Sequence, residues 1–313
     1  MVNIKWEYTP FHQAREFRNG KIGRAYDLYL EGLKSNSNVN LVNTYDEADY
    51  VFLNHNTYLF DSKCNKINPG DESYKGPREK LVVINHQDLP DRSEFPKNAL
   101  SYFVRSWPTS RVDQNGMWTK TEQLWPENFN PTSYCIMDDF IIEEELERDI
   151  DLGCYLIKDA GQYNRHNVLS ILEWASSDLK DKLNIQLGPV TKSNREGFDN
   201  TYLKTLKRTK ILVTCNPDRW EGDSRTWEAF ANGPLVFVDK LYSLHQHPLI
   251  DGEHCIFYNP SNPKELLDKL NYYLSNESEA KEIAENGHNY TMKYHRSSNR
   301  IDDILAILEE KNK

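Results

Sequence analysis

The chain has 313 residues, of which 38% are hydrophobic and 12% aromatic, enough to bury the core of one large or two ordinary domains. Its formal net charge of −10 argues against non-specific binding to nucleic acid or to an anionic membrane. No apolar run has the length of a membrane-spanning helix and the N-terminus has no signal-peptide pattern, so we expect a cytoplasmic protein without an integral membrane segment.

The N-terminal half has short apolar runs that predict strands, with one helical pattern between the first two. The predicted strands lie at 3–8, 39–42, 49–56, 80–87 and 101–107, and the predicted helix at 22–34. From about 113 to 151 the chain contains prolines and ends in an acidic run. We interpret this segment as an irregular crossing between domains, with the acidic run as a solvated face.

The second half alternates short apolar strands with amphipathic helices. The predicted strands are 153–157, 183–188, 210–215, 234–238 and 254–259; the predicted helices are 164–180, 200–209, a short helix before 234, and 262–275. Such alternation predicts a parallel sheet with helices on both faces. Cys154, Cys215 and Cys255 lie in apolar runs, which favours buried thiols over disulfides.

The predicted fold is therefore α/β, with two Rossmann-like domains facing each other across a cleft. We place the N-terminal domain at 1–148, the C-terminal domain at 149–294 and a C-terminal helix at 295–313. That helix has one apolar stripe, formed by Ile301, Ile304, Leu305 and Leu308. The stripe must dock on another surface, and the N-terminal domain is the expected one.

The stretch EGDSRTWEAFANGPLVFVD (221–239) predicts a loop, a short helix with Asp223 or Ser224 as N-cap, and a buried strand. Arg225 falls in the first helical turn, where the helix dipole disfavours a cation. Helix-start amides and an arginine beyond the end of a parallel strand are typical of a phosphate site. Glu228, one turn further, can accept hydrogen bonds from ribose hydroxyls, so the stretch predicts a nucleoside diphosphate site.

The residues leave a simpler interpretation open, in which Arg225 pairs with Asp223 or Glu221 on the surface and Glu228 is solvated. No GxGxxG fingerprint opens a strand-turn-helix unit and no P-loop pattern is present, so dinucleotide cofactors are unsupported. A nucleotide would be held by a helix end and by side chains.

The C-terminal half resembles the donor-binding domain of a two-domain (GT-B) glycosyltransferase, and in detail it is similar to the exostosin-like family. That family has the pattern Ser-x-Arg-x-x-Glu-Ala-x-x-x-Gly-x-x-Pro-Val. Here GDSRTWEAFANGPLVFVD supplies the matching Ser224, Arg225, Glu228, Ala229 and Gly233, with the Ser–Arg spacing one residue shorter. The segments CIFYNPSNPKELLDKLNYYL, DEADYVFLNHNTY and LVVINHQDLPD resemble further family elements.

The resemblance implies that 149–294 binds a nucleotide sugar, with UDP as the carrier, and that 1–148 binds a glycan acceptor. We expect transfer with inversion, because the acceptor would attack the anomeric carbon from the face opposite the nucleotide, and we expect no separate cofactor. Lys158 and Arg165, between the first strand and first helix of the donor domain, are expected to complete a charge clamp on the diphosphate. Because the membrane anchor of animal and plant relatives is missing, we expect a bacterial or viral protein that acts in the cytosol.

Asp88 is the first candidate for the base that deprotonates the acceptor hydroxyl, since it follows a buried strand. His86 and His55 are alternative bases. The residues equally allow Asp88 to cap a turn and the histidines to be structural. We expect no catalytic metal, because the Asp-x-Asp at 149–151 closes an acidic run instead of ending a buried strand.

Two alternatives stay open. A retaining group-1-type glycosyltransferase has a similar Glu-Ala segment, but its paired glutamates have seven intervening residues, and Glu221 and Glu228 have six. A non-catalytic carbohydrate- or nucleotide-binding relative would keep the same fold without transfer.

Overall fold

The structure is a computed structural model of the 313-residue chain. It describes residues 1–7, 24–55, 59–60, 66–67, 74–85, 98–105, 110–112, 118–120, 127–158, 163–179, 182–190, 200–216, 222–240 and 246–311. Two of the predicted base candidates, His86 and Asp88, lie outside the described residues, as does Glu221.

The chain folds into two compact units. Unit 1 comprises Met1–Ser133, Tyr242–Gln246 and Ser297–Lys313, and unit 2 comprises Tyr134–Leu241 and His247–Arg296. Each unit contains a parallel sheet with helices, so the predicted α/β class with two Rossmann-like domains is confirmed.

Unit 2 begins earlier than the predicted boundary at 148/149, because the segment before the first strand is tied to that unit. Arg148 donates through Nη1 to the carbonyl oxygens of Lys207 (2.8 Å) and Thr209 (2.7 Å), and through Nη2 to that of Asn232 (3.0 Å).

The elements of unit 1 are β1 (Val2–Glu7), α1 (Arg24–Ser35), β2 (Val39–Leu41), β3 (Tyr50–His55), β4 (Leu59–Phe60), β5 (Lys66–Ile67), β6 (Leu81–Asn85), β7 (Ser101–Val104), β8 (Ser110–Val112), β9 (Trp118–Lys120) and β10 (Phe129–Pro131). Its parallel sheet has the order β10-β7-β6-β3-β1-β2, and β4-β5 and β8-β9 form antiparallel pairs. Every residue of β6 is buried, as expected for a strand covered on both faces. β10 lies within the segment that we predicted to be irregular.

The elements of unit 2 are β11 (Ile150–Cys154), α2 (Tyr163–Leu179), β12 (Ile185–Leu187), α3 (Asn200–Arg208), β13 (Thr209–Val213), α4 (Ser224–Asn232), β14 (Leu235–Asp239), β15 (Ile256–Tyr258), α5 (Pro263–Ser275) and α6 (Glu277–Tyr294). The sheet order is β12-β11-β13-β14-β15, with parallel pairing throughout. β11 begins before the predicted strand at 153–157. No helix in the described part of the chain is long and apolar enough to cross a membrane.

The three cysteines that we predicted to be buried are buried in the structure. Cys154, Cys215 and Cys255 are buried and form no disulfide among the described residues. Burial raises the pKa of Cys154 to about 12, so its thiol stays protonated and unreactive at neutral pH.

The last helix, α7 (Ser297–Lys311), belongs to unit 1, as predicted. Its stripe is buried, with 0% to 6% exposure for Ile301, Ile304, Leu305 and Leu308. It packs against α1, where Asn36 Nδ2 donates to Ser298 O (3.2 Å) and to Asp302 Oδ1 (2.7 Å). Gly32 permits this approach, because a Cβ there would lie 2.4 Å from the Ser297 carbonyl oxygen.

We therefore expect Gly32→Ala to destabilise the protein, although alanine normally favours a helix. The added methyl group meets backbone of α7, and overpacking of this kind costs roughly 1–3 kcal/mol. Urea unfolding measures the loss. Lys34→Ala, at an exposed position of the same helix, is the control and should stay within about 0.5 kcal/mol of wild type. Equal stability of Gly32→Ala and wild type would contradict the close packing of the two helices.

Candidate nucleotide-binding site

The strand order of unit 2 creates a topological switch point at the carboxyl edge of its sheet. The chain leaves β11 for β12 and then returns across β11 to β13, so the strand order reverses between β11 and β13. In open α/β sheets, ligands bind outside the carboxyl ends of the strands at such a switch point. α2 follows β11 and α4 follows β13, so both helix starts belong to this edge.

Asp223 is the N-cap of α4, which settles the choice between Asp223 and Ser224. Its side chain accepts from the N–H of Arg225 (Oδ1, 3.4 Å), and its carbonyl oxygen accepts from the N–H of Thr226 (3.2 Å). Fewer backbone N–H groups are therefore available to a ligand at the start of α4 than we predicted from the sequence. Gly233 ends the helix in the left-handed conformation, with a φ of 81°.

A buried ion pair joins this helix start to the rest of the edge. Arg165, in the first turn of α2, is 2% exposed. Its Nη2 pairs with the Asp223 carboxylate, and its Nε donates to the carbonyl oxygen of Cys215 (2.9 Å) just beyond β13. Arg165 therefore lies beside the start of α4 with these donors engaged by protein groups, and its role in a diphosphate clamp stays a prediction.

Arg225 shares the Asp223 carboxylate. Its Nη1 lies 3.6 Å from Asp223 Oδ2, beyond direct hydrogen-bond distance, and its side chain is 16% exposed. Burial opposes the charge of Arg225, but the charges of Asp223, Tyr202 and Glu228 outweigh burial and raise its pKa. Arg225 thus pairs with Asp223 in a largely enclosed position rather than on the surface, and it keeps N–H donors for a ligand.

Glu228 is 2% exposed, so the interpretation that it is merely solvated is wrong. Asn232, one turn further, is also buried and fixes the helix end. Its Nδ2 donates to the Phe140 carbonyl oxygen (2.9 Å), and its Oδ1 accepts from the Ile142 N–H (3.0 Å). Asn232 therefore has a structural role, while Arg225 lies in the first turn of α4 and Glu228 one turn further along.

Two of the predicted nucleotide-binding residues, Lys158 and Ser224, are less buried than Glu228. The Lys158 ammonium pairs with Glu173 of α2, and both side chains are exposed. Ser224 is half-buried, with its Oγ 3.5 Å from Asp223 Oδ1. Ser224 therefore lies with Arg225 at the start of α4, whereas Lys158 pairs with Glu173, which lies in α2 beyond its first turn.

Both carboxylates of the Asp-x-Asp at 149–151 are paired with cationic side chains of the same unit. Asp149 accepts from Nε of Arg208 (2.8 Å) and also binds its Nη2, which lowers the pKa of Asp149. Asp151 pairs with Nζ of Lys210 (2.7 Å). Among the described residues, no group of three or more His, Cys, Asp or Glu side chains could hold a metal ion.

Of the three candidate bases, the structure describes only the backbone of His55. His55 is the last residue of β3 and lies opposite Asn85, the last residue of β6. His86 follows Asn85 directly, and Asp88 follows two residues later. The structure does not describe the His55 side chain, so the role of the three candidates stays a prediction.

Two polar residues at the carboxyl edge of the unit 2 sheet were not predicted from the sequence: Asn216, beyond β13, and Asp239, the last residue of β14. Asp239 Oδ1 accepts from the backbone N–H of Asn216 (2.7 Å) and from its Nδ2 (3.0 Å). The sequence did contain a signal for them. Asn216 and Asp239 each directly follow an apolar run that predicts a strand of a parallel sheet, and ligands bind beyond the carboxyl ends of such strands.

Comparison with known families identifies the same region. Residues 162–306 match the model of a family described as glycosyl transferase-like. The match runs from the start of α2 into α7 and includes Arg165, Asp223, Arg225 and Glu228. No curated protein matches the chain.

Solved structures share the fold at low identity. A glycosyltransferase from Rickettsia africae is 10% identical, with 100% of this chain and 99% of that chain covered and a TM-score of 0.56. Anabaena HepE in complex with UDP is 10% identical, with 99% and 100% covered and a TM-score of 0.54. S. aureus TarM, solved with UDP and α-GlcNAc-glycerol, is 13% identical with a TM-score of 0.50.

The TarM match covers 74% of this chain, which spans 55% of the length of the TarM chain. At these identities the structures establish the fold. With the family match, they support the glycosyltransferase resemblance, while its exostosin-like detail stays a prediction.

We predict that Asp223→Asn destabilises the protein strongly although asparagine is an equally good N-cap. The substitution leaves the guanidinium of Arg165 buried without its carboxylate, a loss of roughly 3–5 kcal/mol. Urea unfolding measures it against Asp268→Asn, which removes a carboxylate from an exposed pair with Lys264 and should cost at most about 1 kcal/mol. Similar losses in both variants would contradict the central place of the Arg165–Asp223 pair.

Proposed function

We propose that this protein transfers a sugar from a nucleoside diphosphate sugar, with UDP as the carrier, to a hydroxyl of a carbohydrate acceptor. The observation that carries the proposal is α4 at the switch point of unit 2, with Arg225 in its first turn and Glu228 one turn further along. The family match over 162–306 supports it, as does the fold shared with UDP-bound HepE.

In this proposal Arg225 binds the diphosphate. Its guanidinium lies 3.6 Å from Asp223, and a ligand phosphate can offer it the short, bidentate contacts that Asp223 does not. Glu228 accepts hydrogen bonds from the ribose hydroxyls, and Ser224 contributes its hydroxyl at the helix start. Arg165 acts through Asp223 and the Cys215 carbonyl group by fixing the place of α4.

Lys158 supplies the second cation. Its pair with Glu173 is exposed, and exposed pairs contribute little free energy, so Lys158 can exchange Glu173 for a phosphate at small cost. Arg225, Lys158 and the helix dipole then stabilise the charge that develops on the leaving diphosphate. We propose that transfer is metal-independent, which the engagement of Asp149 and Asp151 by Arg208 and Lys210 supports.

The acceptor hydroxyl requires a base, and Asp88 remains our first candidate, with His86 and His55 as alternatives. All three follow or end adjacent parallel strands of unit 1. A carboxylate that removes the proton as the hydroxyl attacks the anomeric carbon from the side opposite the leaving diphosphate gives inversion. The proposal is therefore an inverting, exostosin-like transfer.

Arg225→Ala should weaken UDP binding by roughly 10- to 100-fold while the protein stays folded. The change removes a charge-assisted phosphate contact of about 1.5–3 kcal/mol. Isothermal titration calorimetry with UDP measures the effect, and Arg225→Lys should recover only part of it because the bidentate geometry is lost. Lys264→Ala removes an exposed cation of α5 and is the control. An unchanged UDP affinity in Arg225→Ala would remove Arg225 from the site.

Asp88→Asn should lower the rate of transfer by roughly 10²- to 10⁴-fold, because the amide cannot accept the proton. UDP-sugar binding should persist, since the proposed donor contacts all belong to unit 2. Transfer is measured with UDP-sugars and oligosaccharide acceptors in EDTA, and NMR of the product reports its anomeric configuration. Full transfer by Asp88→Asn would direct attention to His86 and His55, a retained configuration would exclude inversion, and loss of wild-type activity in EDTA would exclude metal independence.

A further inference from the structure

Asn216 and Asp239 form a polar pair at the carboxyl edge of the unit 2 sheet. Asn216 follows Cys215, whose carbonyl oxygen Arg165 holds, and Asp239 is the last residue of the neighbouring strand β14. The pair therefore lies on the same edge as the start of α4. In the mechanism above neither residue has a role.

The orientation of the Asn216 amide is fixed by its neighbour. Its Nδ2 donates to Asp239 Oδ1 at 3.0 Å, and its backbone N–H donates to the same oxygen at 2.7 Å. A flipped amide would set its oxygen against the carboxylate, acceptor against acceptor. The Asn216 Oδ1 atom consequently points away from Asp239.

This amide oxygen is buried without a hydrogen bond. Asn216 is 2% exposed, and its Oδ1 has no partner within the residues that the structure describes. Leaving a buried acceptor unsatisfied costs free energy, so such an atom marks a place that a donor group fills in the working protein.

Asp239 adds a second acceptor. The backbone N–H and the Nδ2 of Asn216 both donate to its Oδ1, and its carboxylate also receives hydrogen bonds from the Cys215 thiol and from its own backbone N–H. Burial raises the pKa of Asp239 above its usual value, and the hydrogen bonds from Asn216 offset only part of that rise by stabilising the carboxylate. The pair thus offers an amide oxygen and a carboxylate oxygen, and a ligand must bring hydrogen-bond donors.

We propose that Asn216 and Asp239 bind hydroxyl groups of the sugar moiety of the nucleotide sugar and select a neutral, hydroxyl-bearing sugar. This inference rests on the proposed function and adds the class of sugar to it. Hydroxyl groups donate to both acceptors, and a site built to bind hydroxyls rejects ligands that lack them. A uronic acid sugar would bring a second carboxylate towards Asp239, and the like charges disfavour its binding.

The test compares UDP with UDP-sugars on one protein, so that the nucleotide contribution cancels. Calorimetry gives Kd for UDP, UDP-glucose, UDP-galactose, UDP-N-acetylglucosamine and UDP-glucuronate. In wild type, at least one neutral UDP-sugar should bind more tightly than UDP, and UDP-glucuronate should not. If no neutral sugar improves on UDP, or if UDP-glucuronate binds the most tightly, the inference is wrong.

The decisive variant is Asp239→Asn. Its Oδ1 can still accept from Asn216, while an N–H₂ group replaces the oxygen that would face the sugar. The advantage of the neutral UDP-sugar over UDP should fall by roughly 10-fold or more, with the Kd of UDP unchanged within about twofold. Asn216→Ala, which removes the amide oxygen, should act in the same direction, and Asp268→Asn, an exposed carboxylate of the same unit, should have no effect.

The possible outcomes separate this inference from the proposed function. An unchanged advantage in both Asp239→Asn and Asn216→Ala would show that the pair does not bind the sugar, and would overturn the inference. Equal weakening of UDP and UDP-sugar binding would assign the pair to the nucleotide or to the fold and would also overturn it. If wild type binds neither UDP nor any other nucleoside diphosphate, the proposed function itself fails.

Discussion

The ion pair between Arg165 and Asp223 is the interaction on which the site depends. Arg165 joins the first turn of α2 to the N-cap of α4 and to the carbonyl group beyond β13. A buried ion pair is weak evidence for stability, because removing both charges from water costs about as much as their attraction returns. Its effect here is positional: it fixes where α4 begins, and therefore where Arg225 and Glu228 lie.

This pair also accounts for a cation in the first turn of a helix. The helix dipole disfavours Arg225 at that position, but the Asp223 carboxylate compensates for the dipole and also serves Arg165. Arg225 holds the more distant and more exposed place of the two arginines. A phosphate can therefore engage Arg225 while Arg165 continues to hold the helix.

Most of the fold was predictable because each unit follows local rules. Alternating apolar strands and amphipathic helices indicated two parallel sheets, and the stripe of α7 indicated its docking. Helix α6 was not predicted, because Gly287 interrupts its helical pattern. This glycine is required by packing, since a Cβ there would lie 2.2 Å from the His254 carbonyl oxygen. β10 was missed because its three residues include Pro131, which disfavours a strand assignment.

The site was predictable only in part, since residue types show charge but not partners. The sequence placed Asp223, Arg225 and Glu228 at one helix start, and a local pattern sufficed for that. It could not show that Arg165 binds Asp223, because 58 residues separate them along the chain. For the same reason Asn216 and Asp239, which meet only across neighbouring strands, had no visible relation.

The most direct test of the account is a crystal structure of the protein with UDP-glucose. The account predicts diphosphate oxygens within hydrogen-bond distance of the Arg225 guanidinium, ribose hydroxyls on the Glu228 carboxylate, and Arg165 still bound to Asp223. A nucleotide bound elsewhere, with Arg225 still beside Asp223 and the start of α4 empty, would contradict it.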